Sequence, residues 1–143
     1  MVYDDERIFG NSNWDQQGRS LDVALLRYNG MLRIDIGAAF NQNEKHLNGA
    51  YYNLNNYKMM QFVWLNTDVT DNMNLSLLFL NNGYQYDYVL NEDGHNHQKT
   101  KDVYNQTLGG RLLFTPGDFN FHASAYYTMG KDTKDRELSA YYV

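Results

Sequence analysis

The chain contains no cysteine, which excludes disulfides and thiolate metal centres outright. Long apolar runs are missing too: the mean hydropathy is −0.67, and no stretch approaches the ~18 residues that a membrane-spanning helix needs. Any membrane crossing must therefore be made by strands. There is no excess of basic charge, since 12 Lys and Arg stand against 17 Asp and Glu for a net charge of −5. That balance argues against a nucleic-acid partner held by phosphate neutralisation. Also lacking are a phosphate-cradling glycine loop, a nucleophile elbow and a helical metal motif. The adjacent acids Asp4 and Asp5 would point to opposite faces of a strand, so no two-carboxylate hydrolase is expected. The chain reads as a non-enzyme without a cofactor. Its amino terminus turns acidic within a few residues, at Asp4, Asp5 and Glu6, which does not fit a signal peptide. Proline occurs once, at Pro116.

What is present favours strands. Aromatic residues make up 15% of the chain, led by 13 Tyr, and 11 Gly punctuate them. This mixture suits many strands joined by polar turns. The 143 residues read as a single segment, 1–143. The clearest strand is 32–41, where Leu32, Ile34, Ile36, Ala38 and Phe40 alternate with Arg33, Asp35, Gly37, Ala39 and Asn41. That is strand period. Ten residues span about 33 Å, and a tilt near 45° reduces this to about 23 Å, close to the ~25 Å apolar band of an outer-membrane barrel. One face is entirely apolar, whereas the other carries an arginine and an aspartate that a water-filled lumen would accept. A soluble sheet with one face on a core has the same alternation, so this stretch alone leaves both readings open.

Taken in order, strands are predicted at 2–9, 20–28, 32–41, 57–66, 73–84, 106–115, 119–130 and 138–143, with Asn29-Gly30 as a hairpin signal. The facing of 57–66 and 73–84 stays open, because Phe62, Trp64, Leu78 and Leu80 compete with Val63, Leu65, Leu77 and Phe79 for the apolar side. Connections after the second, fourth and sixth strands are short. Those after the first, third, fifth and seventh are longer and polar, notably 42–56 and 87–105. Outer-membrane barrels sort their loops this way. The predicted fold is all-β: an antiparallel up-and-down meander of about eight strands, part of an outer-membrane β-barrel of a Gram-negative bacterium, truncated at both ends. Tyr28, Phe40, Tyr57, Trp64, Tyr84, Tyr127 and Tyr141, near strand ends, would form interfacial girdles against outer-membrane lipid.

Tyr3, Asp4, Asp5, Glu6, Arg7, Phe9, Gly10, Trp14, Gly18, Arg19, Asp22 and Arg27 fall in an order that resembles the alginate export family of outer-membrane β-barrels. In that family an acidic-Arg-hydrophobic-Gly run leads through a Trp and a Gly-Arg into a strand carrying an Asp and a basic residue. The resemblance implies a basic lumen that passes an anionic polysaccharide. It also implies that barrel strands preceding Tyr3 are absent here.

The face opposite the apolar one gathers Arg33, Asp35, Asn74, Ser76, Arg111, Asn120, His122 and Ser124, and Arg7, Arg19 and Asp22 join them from the resembling stretch. An arginine facing lipid at mid-bilayer costs about 2–4 kcal/mol, which pushes Arg33 and Arg111 inward. Arg27 is placed either inward or snorkelling to the interface. Arginine rings favour anions, yet Asp4, Asp5, Asp22 and Asp35 are there to neutralise them. Glu92, Asp93, His95 and His97 have the residue types of a weak divalent-metal site, although such a cluster in a polar loop is usually just solvated. Two rivals remain: a soluble eight-stranded barrel binding a small ligand, and a small closed membrane barrel of structural role, its interior filled by side chains.

Overall fold

The structure, a computed structural model, describes residues 3–4, 8–9, 23–40, 57–92 and 95–143. Among these residues there is no helix, and seven strands form one antiparallel sheet in sequence order. They are β1 Val23–Asn29, β2 Arg33–Phe40, β3 Met59–Thr70, β4 Met73–Glu92, β5 His95–Phe114, β6 Phe121–Lys131 and β7 Glu137–Tyr142. Each pairs with the next, so the sheet is an up-and-down meander with β1 and β7 at its edges, and it is not closed. Seven strands are seen among the described residues rather than about eight, and half of the first predicted one, 2–9, lies outside those residues. Asp4 takes a left-handed backbone (φ 52°), and Tyr3, Asp4, Ile8 and Phe9 lie outside any strand. Asp tolerates that conformation because its short polar side chain bonds locally or to nearby donors.

The strand register fixes two faces. One carries Asp35, Gly37 and Ala39 on β2, Met60, Phe62 and Trp64 on β3, Ser76, Leu78 and Leu80 on β4, and Tyr126 on β6, all buried. Tyr3, Asp4 and Phe9 lie on it, so it is called here the covered face. The other, bare face carries Leu26, Ile36, Phe79, Leu108, Tyr127 and Tyr141, which are opposite one another from β1 to β7 and all exposed. In 32–41 it is therefore the polar and small set that is covered and the apolar set that is bare. This also decides the two strands whose sequence was ambiguous. Phe62, Trp64, Leu78 and Leu80 take the covered side, and Val63, Leu65, Leu77 and Phe79 the bare one.

Two glycines permit the covered face to close. The Phe62 ring lies across Gly37, and the Tyr126 ring across Gly109; a Cβ at either glycine would stand under 3 Å from ring atoms. A side chain in a strand normally stands upright on its sheet. Only the missing Cβ of the neighbouring residue lets these rings lie over the adjacent strand.

The polar stretch 87–105 is strand rather than loop: β4 and β5 pair without interruption out to Glu92 and His95, while β3 reaches only Gly83 and β6 only Asn105. The two strands thus project beyond the sheet as a ribbon. The two strands are held by pairing with each other rather than by an alternating apolar face, which is why composition alone imitated a loop. At the opposite rim the connections are short, at 30–32, 71–72 and 115–120. The loop-length pattern is incomplete, however, because the connection after β6, at 132–136, is shorter than that at 115–120.

That turn is built on one carboxylate. Asp132 Oδ1 accepts from the backbone N–H groups of Lys134 and Arg136, at 2.8 and 2.9 Å, and Oδ2 accepts from Arg136 Nε at 2.7 Å. The Arg136 amide, assisted by its guanidinium and the Lys134 amide, holds the Asp132 carboxyl below the ordinary carboxylate range against a partial desolvation penalty. A lowered folded value means that the contribution is fully present above the unfolded carboxylate pKa of about 3.9 and is lost as pH falls through the folded value. Amide exchange of β7 is therefore expected to quicken on acidification below about pH 4, and Asp132→Asn to remove that pH dependence. Unchanged protection of Glu137–Tyr142 across this range in the native chain would show that the carboxylate does not hold the turn.

Candidate functional site

The covered face is organised in rows that cross the strands. One row near the short-turn rim runs Asn29, Arg33, Asn66, Ser76, Arg111 and Ser124 from β1 to β6, each directly opposite the next. Every side chain in it is polar, and two are cationic. Arg33 and Arg111 lie three strand spacings apart, about 14 Å at 4.8 Å per strand. The next row runs Arg27, Asp35, Trp64, Leu78, Gly109, Tyr126 and Tyr142. Between them the rows hold three arginines and one aspartate.

Asp35 is the buried charge of this face, 2% exposed. Arg27 approaches it side-on, Nε at 3.0 Å from Oδ1 and one terminal nitrogen at 3.0 Å from Oδ2. Tyr3 donates its hydroxyl to Oδ2 at 2.7 Å. Direct cross-strand pairing of Arg27 with Asp35 is the local cause, because opposite residues of neighbouring strands put their side chains within reach of each other. Arg27, for which sequence left two orientations, thus points to the covered face. Arg33 instead sits over the Trp64 ring, Cζ 5.8 Å from its centroid. Arg111 has its Nε buried without a hydrogen-bond partner among the described residues.

Asp4 completes the constellation. Its Oδ1 accepts from Trp64 Nε1 at 3.1 Å and from Ser76 Oγ, and its Oδ2 accepts from the Tyr126 hydroxyl at 3.3 Å. Tyr3 rests beside it, 4.9 Å from the Trp64 ring and 5.6 Å from Phe62, with Phe9 4.8 Å from Phe62.

Of the predicted wall residues, Asp35, Arg33, Arg111 and His122 lie on the covered face, Arg33 and Arg111 in one row. Arg33 opens β2 and stands at the rim rather than mid-strand, and His122 is likewise near a strand end and exposed. Asn120 does not belong to the wall: it lies in the exposed turn before β6, because pairing starts only at Phe121. Arg7, Arg19 and Asp22 lie outside the described residues. The expectation for Glu92, Asp93, His95 and His97 rests on side chains that also lie outside them. Among the girdle candidates, Trp64 and Tyr84 turn to the covered face, since their parity in β3 and β4 matches Phe62 and Leu80. Tyr28, Phe40, Tyr127 and Tyr141 are on the bare face and exposed.

Sequence reading missed Trp64, Tyr126 and Tyr3 as site residues. Tyr126 carries a usable signal, since alternation in 119–130 already sets it beside Ser124 and Thr128 and opposite the apolar residues. Tyr3 and Asp4 carry none, because their partners are distant in the chain.

The bare face contrasts with all this. Its two central rows are Tyr28, Ile34, Leu65, Leu77, Gly110 and Ala125, then Leu26, Ile36, Val63, Phe79, Leu108, Tyr127 and Tyr141. They hold no charge. An amide ladder borders them toward the ribbon, where Gln106 donates to Asn81 at 2.9 Å and Asn81 to Gln61 at 2.7 Å. Toward the short-turn rim the apolar character continues through Leu75, Leu112 and Ala123 to Met73, Phe114 and Phe121. From Met73 to Phe79 this belt is about 20 Å along the strand, at 3.4 Å per residue.

The chain matches no protein-family model, no curated protein and no solved structure.

Proposed function

We propose that the chain is a wall segment of an outer-membrane β-barrel channel of a Gram-negative bacterium, passing solute without chemistry along its covered, arginine-bearing face. The observation that carries this reading is the inversion of the sheet. The face with Arg27, Arg33, Asp35 and Arg111 is the one that Tyr3, Asp4 and Phe9 cover, and an uncharged belt of Leu, Ile, Val, Phe and Tyr is bare across all strands. A soluble sheet covers its apolar face. A barrel wall in lipid does the opposite, with an apolar outside and a polar lumen. The amide ladder then marks the edge of the lipid, and the ribbon of β4 and β5 stands in water beyond it. Outer-membrane lipid is the partner of the bare face.

Backbone groups at an open edge are costly in lipid, several kcal/mol each, so β1 and β7 would pair with further strands. These come from more of the same barrel or from other copies. The resemblance of Tyr3 to Arg27 to the alginate export family favours an anionic polysaccharide as the solute, and the arginines of the covered face agree with that. Tyr3, Phe9, Phe62 and Trp64 filling the covered face favour a second reading, a structural membrane barrel without a pore.

Vesicle flotation followed by planar-bilayer recording separates the readings. The 143-residue chain, diluted from detergent, is expected to float with vesicles and then to give discrete conductance steps. A folded monomer that stays in plain buffer would overturn the membrane reading in favour of a soluble ligand-binding barrel. Flotation without conductance or solute flux would leave the structural barrel.

A further inference from the structure

Tyr3, Ile8 and Phe9 join the core without belonging to the sheet, and Asp4 is hydrogen-bonded over it beside them. They reach far across it. The Tyr3 hydroxyl is anchored on β2 through Asp35, and the Asp4 carboxylate on β3 through Trp64, on β4 through Ser76 and on β6 through Tyr126. β5 is bridged rather than bonded, because Gly109 lets Tyr126 lie flat and bring its hydroxyl back over the sheet. The three donors around Asp4 converge from three strands, so the carboxylate closes a cradle that the sheet alone presents to a carboxylate. Arg111 stands directly opposite Ser76 and Ser124 at the margin of this cradle.

We propose that Tyr3, Asp4, Ile8 and Phe9 act as a strap over the polar face, locked by Asp4 in this three-donor cradle, and that its release uncovers that face for solute. The gating role rests on the channel reading above; the strap itself does not. The physical case is one of few anchors over a wide span. A handful of hydrogen bonds and two aromatic rings hold the segment, while none of its described residues shares in the backbone ladder of the sheet. Elements held by side chains alone open at lower free energy than paired strands. The cradle moreover suits an anion, since three neutral N–H and O–H donors converge on the carboxylate and the indole among them has no lone pair to offer a cation.

The Trp64 indole N–H reports on the lock directly. Its proton exchange is followed by NMR in detergent, with the signal assigned by Trp14→Phe, alongside iodide quenching of Trp64 in that same background. Asp4→Ala is expected to speed indole exchange about tenfold or more and to raise quenching, with the β spectrum retained. Ser76→Ala and Tyr126→Phe, which each remove one donor and keep the wall, are expected to speed exchange by smaller factors, and they serve if Asp4→Ala does not fold. An indole that exchanges freely in the native chain, or at the native rate in every folded variant, overturns the strap. In bilayers Asp4→Ala is expected to raise solute flux. Unchanged flux with a freely exchanging indole overturns the gate while leaving the strap. Failure of the native chain to enter vesicles removes the channel reading and the gate together, and the indole measurement in detergent still decides whether the strap exists.

Discussion

Leu77→Arg is expected to cost about 2–4 kcal/mol of folding stability in a bilayer, the price of an arginine near the midplane of an outer-membrane barrel wall. Leu77 sits in the uncharged belt of the bare face, flanked across the strands by Leu65 and Gly110, and it is 46% exposed. If the bare face meets water, the same substitution leaves the protein within about 0.5 kcal/mol of the native chain, as surface changes away from special features usually do. The expected difference is large because the physics differs in kind. Lipid offers a guanidinium no hydrogen bonds, whereas water replaces everything that the leucine lacked. Urea titrations in vesicles and in plain buffer measure it. Asn81→Arg, in the amide ladder, provides the internal comparison and is expected to cost much less, because it stands at the border of the belt. Equal, small effects at both positions would rule out a lipid-facing belt.

Asp35→Ala is expected to destabilise the fold by about 2–3 kcal/mol, within the range for charged hydrogen bonds lost at a buried site. The carboxylate is almost fully buried and takes bonds from Arg27 and from Tyr3. Removing it leaves the Tyr3 hydroxyl without its partner inside the wall. Arg27 suffers less, since its side chain is 51% exposed and water solvates it again; this keeps the estimate below the 3–5 kcal/mol of a fully buried pair. Arg27→Ala is the converse experiment, leaving Asp35 buried with Tyr3 and the nearby charge of Arg33. A double-mutant cycle is expected to return a coupling of about 1–2 kcal/mol for the pair. Denaturant midpoints with unchanged slopes would show that the substitutions act on stability alone. A coupling near zero would mean that the pair merely coexists on the wall.

The strand content was legible in the sequence because it depends on local alternation. Leu32 to Asn41 announce two faces of different chemistry, and Asn29-Gly30 and Pro116-Gly117 mark turns that the structure places between β1 and β2 and before β6. That Arg33, Asp35 and Arg111 share one face was legible by the same parity. Legibility ended where local pattern was ambiguous or misleading. Phe62 and Val63 are equally apolar, so nothing within β3 says which is covered. The ribbon from Tyr84 onward is as polar as a loop, and only the pairing of β4 with β5 shows it to be strand.

By itself the sequence determined that this protein is built of antiparallel strands, without disulfides or a spanning helix, and that one face of the strand at 32–41 is apolar and the other polar. Tertiary structure alone decided which face is covered. That choice depends on the register of β2 against β3 and β4, on Gly37 and Gly109 making room for Phe62 and Tyr126, and on Tyr3 and Asp4 returning to residues far along the chain. Side-chain parity is local, but burial is set by what lies opposite, and for this sheet what lies opposite comes from elsewhere in the chain.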